Sequence, residues 1–170
     1  YLKKEILSIK HKSPLSTIYI GGGTPSILNP LQIKDLINLC KESYKIDYGA
    51  EITMEVDPAS FNEDDLYGFI KAGINRFSLG VQSFNNKVLE QAGRRHSCKD
   101  VEKSCFWLKR AYDHGLIKSW SLDLIQNLPR SGFKKWQEDL KQSLKFCPPH
   151  ISIYDLSIEN GTVFKKLVDL

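Results

Sequence analysis

The 170-residue sequence lacks the cysteine patterns that mark zinc sites and disulfide-rich folds. Its cysteines stand far apart and form neither a C-x-x-C pair nor a zinc-type quartet. Two of them, Cys98 and Cys105, would lie two turns apart on one helix, which is too far for a disulfide. We therefore expect all four to be reduced and mostly buried, as is usual in an intracellular protein: Cys40, Cys98, Cys105 and Cys147.

Long apolar runs are missing as well. No stretch approaches the roughly 18 consecutive apolar residues that span a bilayer, so we expect no membrane segment. The sequence begins at Tyr1 without an initiator methionine or a signal-peptide pattern, which indicates a start inside a longer protein. We expect a cytoplasmic protein, or a protein of an organelle such as a plastid or mitochondrion if the source is eukaryotic.

No single basic patch stands out, although the formal net charge is +4. Lysines are scattered over predicted helix surfaces, where Lys134 and Lys141 are interleaved with Glu138 and Asp139. Such mixing is typical of a solvated helix face rather than of a surface that follows a phosphate backbone. We therefore expect no nucleic acid partner.

The signatures of nucleotide loops are also absent, although residues 17–26 contain a glycine-rich turn, TIYIGGGTPS. Ile18 and Ile20 alternate with polar positions as in a strand, and three glycines follow where that strand ends. No Lys-Ser/Thr pair follows the glycines and the G-x-G-x-x-G spacing is missing, which argues against a nucleoside triphosphate. The bare backbone of Gly21–Gly23 predicts a close ligand, and a tight strand-to-helix turn without a ligand is the alternative.

Strand and helix patterns alternate along the chain, which predicts a parallel sheet, either doubly wound or curled into a barrel. The predicted strands are 17–20, 51–56, 76–82, 119–128 and 150–156. The predicted helices are 1–12, one that begins at Pro30, one from Asn62 to Gly73, 85–91, 100–114 and 133–146. The helix that begins at Pro30 is expected to bury Leu31, Leu36, Ile37 and Cys40. The helix 133–146 is expected to bury Trp136, Leu140 and Leu144.

Polar and apolar residues alternate within these strands, and this favours the barrel. In the second strand Ile52, Met54 and Val56 share one face, while Thr53 and Glu55 share the other. A flat sheet covered by helices on both faces would have nearly continuous apolar strands. The polar set therefore faces a shared interior, in which Glu55, Gln82 and Asp123 are expected to converge with the glycine turn at the carboxyl ends of the strands.

Five motifs in this order, GGGTPS, EVDP, RFSLGVQSF, GRRH and LDLIQNLP, resemble the HemN/HemW branch of the radical S-adenosylmethionine (SAM) proteins over nearly all of residues 16–167. The resemblance implies an α/β fold, an open, partial parallel β/α barrel. It also implies that residues 1–170 are a core fragment that starts at the family's second strand and is truncated at both ends. The C-x3-C-x2-C loop that holds the family's [4Fe–4S] cluster has no counterpart here, so no metal ligand or catalytic residue is named.

By the same resemblance, seven residues fall on SAM-binding positions: Gly22, Gly23, Thr24, Glu55, Gln82, Arg94 and Asp123. We expect Glu55 or the carbonyls of the glycine turn to accept from the methionine ammonium, and Arg94 to bind the methionine carboxylate. Gln82 and Asp123 would bind the ribose. His96 is interpreted as a structural loop residue.

The ending YDLSIENGT, with Phe164 beyond it, is more similar to HemW haem chaperones than to the oxidases of the branch. The implied function is the SAM-binding part of a HemW-like haem chaperone, with SAM, haem or porphyrin, and a haem-accepting protein as partners. The alternatives are an oxygen-independent coproporphyrinogen III oxidase and a truncated barrel without activity. Because the cluster would belong to the full-length protein, we expect the chain alone to bind no cluster and to bind SAM only weakly.

Overall fold

A computed structural model describes residues 1–9, 13–129, 131–162 and 164–165 of the chain. The strands are β1 (Leu15–Ile20), β2 (Ile46–Val56), β3 (Arg76–Gln82), β4 (Ser119–Gln126) and β5 (His150–Asp155). The helices are α1 (Leu2–Ser8), α2 (Pro30–Ser43), α3 (Glu63–Ala72), α4 (Asn86–Gln91), α5 (Cys98–Asp113) and α6 (Gly132–Lys145). A short 3-10 turn, Pro25–Ile27, lies between β1 and α2.

The five strands form one parallel sheet in the order β1-β2-β3-β4-β5. Strand order follows chain order, and the sheet curls into an open half-barrel. The predicted α/β open parallel barrel is therefore confirmed. The carboxyl ends of all five strands lie at the same edge of the sheet, where barrel proteins build their sites.

Four of the described helices begin at polar residues that cap them, and in three of these the capping is reciprocal. Asn29, Asn62 and Ser97 each accept from the backbone N–H three residues on, and the side chain at that third position bonds back to the cap. These reciprocal capping boxes satisfy backbone donors that the first helical turn leaves free. The cap at Ser97 starts α5 two residues before the start predicted from the sequence.

The core lies on one face of the sheet, beneath α2, α3 and α5. Phe77 and Trp120 are fully buried on neighbouring strands, and Phe69 of α3 is buried with them. Burial of such side chains is the main source of stability in a domain of this size. No helix within the described ranges is long and apolar enough to cross a membrane.

Two predicted core positions are wrong. Leu31 is 72% exposed, because α2 turns Ile33 and Ile37 toward the sheet. Leu144 is 62% exposed, because α6 buries Asp139 and Ser143 at helical spacing instead. Asp139 accepts hydrogen bonds from the Ser83 hydroxyl (2.8 Å) and the Phe84 N–H (2.7 Å), which hold that face of α6 inward.

Several other predicted features shift. All four cysteines are unpaired, as expected, but Cys105 alone is buried, whereas Cys147 is exposed. Strand β2 begins at Ile46, five residues before the predicted start. The predicted helix 1–12 ends at Ser8, and its last three positions lie outside the described residues.

Candidate functional site

The glycine turn after β1 requires glycine for two reasons. A Cβ atom at Gly21 would lie 2.6 Å from Cε1 of Tyr19 and 3.0 Å from the Glu55 carboxyl carbon, so no larger residue fits without displacement. Gly22 (φ 81°) adopts the left-handed backbone conformation that side chains disfavour. Its N–H donates to Glu55 Oε2 over 3.1 Å, which ties the turn to the end of β2.

Glu55 is held from a second side by Tyr19. The tyrosine hydroxyl donates to Glu55 Oε1 over 2.7 Å. Burial, this hydrogen bond and the negative charges of Glu55 and Asp123 all raise the pKa of Tyr19, so it stays a neutral donor. The Glu55 carboxylate is thus oriented before any ligand arrives, and each of its oxygens keeps a lone pair for a further donor.

A chain of hydroxyl groups leads to Asp123. Ser78 donates to Asp123 Oδ2 over 2.6 Å, and its oxygen lies 3.0 Å from the Ser121 hydroxyl. Because Ser78 gives its only proton to the carboxylate, Ser121 must donate to Ser78. The other oxygen, Asp123 Oδ1, is buried and has no hydrogen-bond partner within the described part of the chain. A buried carboxylate oxygen left in this state is costly, so a donor from a ligand or from water is expected there.

Gln82 reaches the site by an irregularity in β3. Leu79 pairs with Leu122 and Gln82 pairs with Leu124, so β3 takes three steps where β4 takes two. Gln82 also has a left-handed φ of 66°. Its amide nitrogen lies 3.0 Å from where a Cβ of Gly80 would be. The strict alternation used to place Gln82 is therefore wrong at this residue, although its side chain does line the pocket.

Arg94 comes from the loop between α4 and α5, which is anchored by His96. The His96 ring is buried, with Nε2 3.1 Å from the Val81 carbonyl oxygen and Nδ1 3.4 Å from Asp57 Oδ2. Burial alone would raise the pKa of Asp57. Contacts with His96, with the Ala59 N–H and with the charge of Arg94 outweigh it and hold that pKa below its ordinary value.

These elements surround one pocket of about 280 Å³, which we call the inner pocket. Six of the seven candidate residues line it: Gly23, Thr24, Glu55, Gln82, Arg94 and Asp123. Gly22, the seventh, is not part of the lining and contributes its N–H to Glu55 instead. The predicted convergence of Glu55, Gln82 and Asp123 with the glycine turn is confirmed, since all three line one pocket with Gly23 and Thr24.

Sequence reasoning missed seven further lining residues: Pro25, Val56, Asp57, Ser78, Gly80, Ile125 and Tyr154. Ser78 and Tyr154 share the inward parity of the named residues, so the strand alternation contained the signal for them. Asp57 follows Val56 directly at the end of β2. Its carboxylate accepts from the Ala59 N–H and lies 3.4 Å from His96 Nδ1, a long-range contact that no local pattern in the sequence indicates.

A larger outer pocket of about 580 Å³ adjoins the inner one. It shares Thr24, Asp57 and Arg94 with the inner pocket, and Arg95 lines the outer pocket only. No group of three or more His, Cys, Asp or Glu side chains among the described residues is arranged to hold a metal ion. The residues present therefore do not fit an iron–sulfur cluster.

Known proteins match this chain over most of its length. The Radical SAM superfamily matches residues 1–135. The heme chaperone HemW of Synechocystis sp. is 38% identical over 164 residues, which cover 96% of this chain and 39% of that protein. The heme chaperone HemW of Haemophilus influenzae is 37% identical over 150 residues, which cover 88% of this chain and 38% of that protein.

Among solved structures, coproporphyrinogen III oxidase (HemN) from Escherichia coli, described as a radical SAM enzyme, superposes with a TM-score of 0.75. The two are 32% identical, and the match covers 84% of this chain and 32% of that one. The chain thus spans about two fifths of the length of the HemW proteins that it matches. It belongs to the radical SAM superfamily and, within it, to the branch that contains HemN and HemW.

Proposed function

We propose that the inner pocket binds SAM and that the chain is the SAM-binding part of a HemW-like haem chaperone. The observation that carries the proposal is the buried Oδ1 of Asp123, which has no partner among the described residues; Asp123 lines a pocket together with Glu55, Gln82 and Arg94. A ligand with hydroxyl donors and a zwitterionic end suits this donor set. The names of the Synechocystis and Haemophilus relatives support haem as the cargo.

In this proposal each side chain has a separate task. Arg94 binds the methionine carboxylate, and Glu55 or a carbonyl of the glycine turn accepts from the ammonium. Asp123 and Gln82 accept from and donate to the ribose hydroxyls. Gly22, Gly23 and Thr24 form the turn that lets the cofactor approach the backbone.

The cluster is assigned to the full-length protein, because the described residues do not fit it. Residues 1–170 would then belong to the barrel core from the family's second strand onward. In radical SAM proteins a bound cluster supplies the electron that starts chemistry on SAM. The contribution of this chain is to bind and orient SAM and to exclude water.

The test is SAM affinity of the complete, anaerobically reconstituted protein, measured by calorimetry for the parent and for Asp123→Ala. Loss of a hydrogen bond to a charged group is worth about 1.5–3 kcal/mol, so we expect a Kd roughly 10- to 100-fold weaker. Asp113→Ala is the matched control, since Asp113 is a carboxylate on α5 that pairs with Lys109 at 2.8 Å, outside the pocket. An Asp123→Ala variant with unchanged SAM affinity would contradict the proposal.

The second candidate function is oxidative decarboxylation of coproporphyrinogen III, and the structural match to the Escherichia coli oxidase favours it. The complete protein separates the two candidates. Stoichiometric haem binding and transfer to an acceptor protein without product formation supports the chaperone. Anaerobic formation of protoporphyrinogen IX with consumption of SAM supports the oxidase. The cytoplasmic or organellar location stays a prediction.

A further inference from the structure

The outer pocket has residues that the proposed SAM site does not use. Its lining includes Thr24 and Ile27 from the segment after the glycine turn, and Gly93, Arg94 and Arg95 from the loop between α4 and α5. Arg95 lines the outer pocket and not the inner one, whereas Arg94 lines both. The outer pocket has a volume of about 580 Å³, roughly twice that of the inner pocket.

The pocket is positively charged. Neither Arg94 nor Arg95 forms a salt bridge to any carboxylate of the described residues. Both are exposed at the pocket surface and free to bind an incoming anion. Guanidinium groups bind carboxylates through two parallel hydrogen bonds, which makes a carboxylate a well-matched ligand.

Among the described residues that line the outer pocket, Asp57 is the acidic one. Its Oδ2 lies 3.4 Å from Nδ1 of the buried His96 ring, on the inner side of the lining loop. Two guanidinium groups, those of Arg94 and Arg95, therefore stand against one carboxylate, and the lining has a net positive charge for a ligand.

The same pocket has an apolar edge. Ile27 is 73% exposed, and Ala59 also belongs to the lining. An exposed isoleucine next to unpaired guanidinium groups fits a ligand that has an apolar body and carries carboxylates. Inorganic phosphate or a sugar would leave this edge unused.

We propose that the outer pocket is a substrate site, in which Arg95 binds a carboxylate of an apolar ligand whose body rests against Ile27. This inference rests on the proposed function, which fills the inner pocket with SAM and gives the ligand its identity. Within that function the carboxylate is a propionate of the tetrapyrrole. The site then lies next to SAM, with Arg94 at the boundary between the two ligands.

The experiment compares haem with haem dimethyl ester, whose propionates are uncharged, in the same detergent and with the complete protein. We expect Arg95→Ala to weaken haem binding about tenfold or more and to leave ester binding unchanged, with Arg95→Lys restoring part of the loss. Lys99→Ala is the matched control, because it removes one exposed positive charge four residues away that is not in the pocket lining.

Equal affinities of Arg95→Ala and the parent for haem would overturn the inference, and so would equal losses for haem and its ester. SAM affinity, measured on the same samples, separates this result from the fate of the proposed function. Weaker haem binding by Arg95→Ala in a protein that binds no SAM would support the carboxylate site and overturn the SAM assignment. SAM binding that depends on Asp123, together with unaltered haem binding by Arg95→Ala, would overturn this inference alone.

Discussion

The two faces of the sheet have the same strands but opposite chemistry. On the helix-covered face Met54, Phe77 and Leu122 are completely buried among apolar side chains. On the pocket face the residues between them form hydrogen-bond networks, and Asp123 has a carboxylate oxygen that no described residue bonds. The difference indicates that one face supplies the stability, while the other keeps polar groups available for a ligand at some cost in stability.

The largest expected effect is on the free energy of unfolding, and it compares the two faces of the sheet at adjacent residues of β3. Phe77→Ala leaves a cavity under the helices and should lower the free energy of unfolding by about 3–5 kcal/mol. Ser78→Ala, one residue on, removes hydrogen bonds to Ser121 and Asp123 and should cost about 1 kcal/mol. Urea denaturation of both variants measures the difference. Equal losses would show that the faces do not differ in their contribution to stability.

For Gly21→Ala we expect a smaller loss of stability than for Phe77→Ala, but a large loss of SAM affinity. The new methyl group would collide with Tyr19 and the Glu55 carboxyl, which costs about 1–3 kcal/mol by overpacking. Because Glu55 must move, we expect SAM affinity to fall at least tenfold. Thr17→Ala, at an exposed position of the same strand, is the control. An alanine at position 21 with normal affinity would show that the turn does not orient Glu55.

The Asp57–His96 pair joins the pocket to the protein interior and should appear in the acid stability. The pKa of Asp57 is lower in the folded protein, so its ionised form is favoured by folding. Its contribution is therefore present above the unfolded value of about 3.9 and is lost as the pH falls through the folded pKa. Asp57→Asn should lower stability near neutral pH by about 1 kcal/mol and reduce the loss of stability on acidification.

Asp139 provides a comparison for that measurement, because burial raises its pKa. A raised pKa means that folding disfavours the ionised form, so its contribution declines as the pH rises above about 3.9. Thermal melts between pH 3 and pH 7 compare how the stability of each variant changes with pH. Relative to the parent, Asp57→Asn should gain less stability as the pH rises, and Asp139→Asn should gain more. Parallel profiles for both variants and the parent would contradict this assignment.

The smallest effect is expected for Tyr19→Phe, which removes the hydroxyl that orients Glu55 and leaves the ring. Tyr19 is 60% exposed, so the change in the free energy of unfolding should stay below about 1 kcal/mol. SAM affinity should fall about two- to fivefold, since Gly22 still holds Glu55. Tyr48→Phe is the control, at a fully exposed tyrosine. Equal SAM affinity in both variants would show that this hydrogen bond does not prepare the pocket.

The sequence was most informative where a local rule decides the structure. The helix starts at Pro30 and after Asn62, the glycine turn and the period-two pattern of β2 were predicted from local rules, and the structure confirms them. Helix faces with mixed composition were less predictable. Leu31 and Leu144 are exposed because neighbouring residues at helical spacing have better partners in the sheet or its loops.

The sequence alone therefore determined the alternation of strands and helices, the open parallel barrel and the edge at which the polar side chains collect, because these depend on periodicity and turn chemistry within short segments. The tertiary structure decided which of those side chains meet. Gln82 enters the pocket through a register shift in β3, Asp57 is paired by a histidine 39 positions later in the chain, and Arg95 lines the outer pocket but not the inner one. Such contacts join segments far apart in sequence, so packing between elements decides them and no local pattern does.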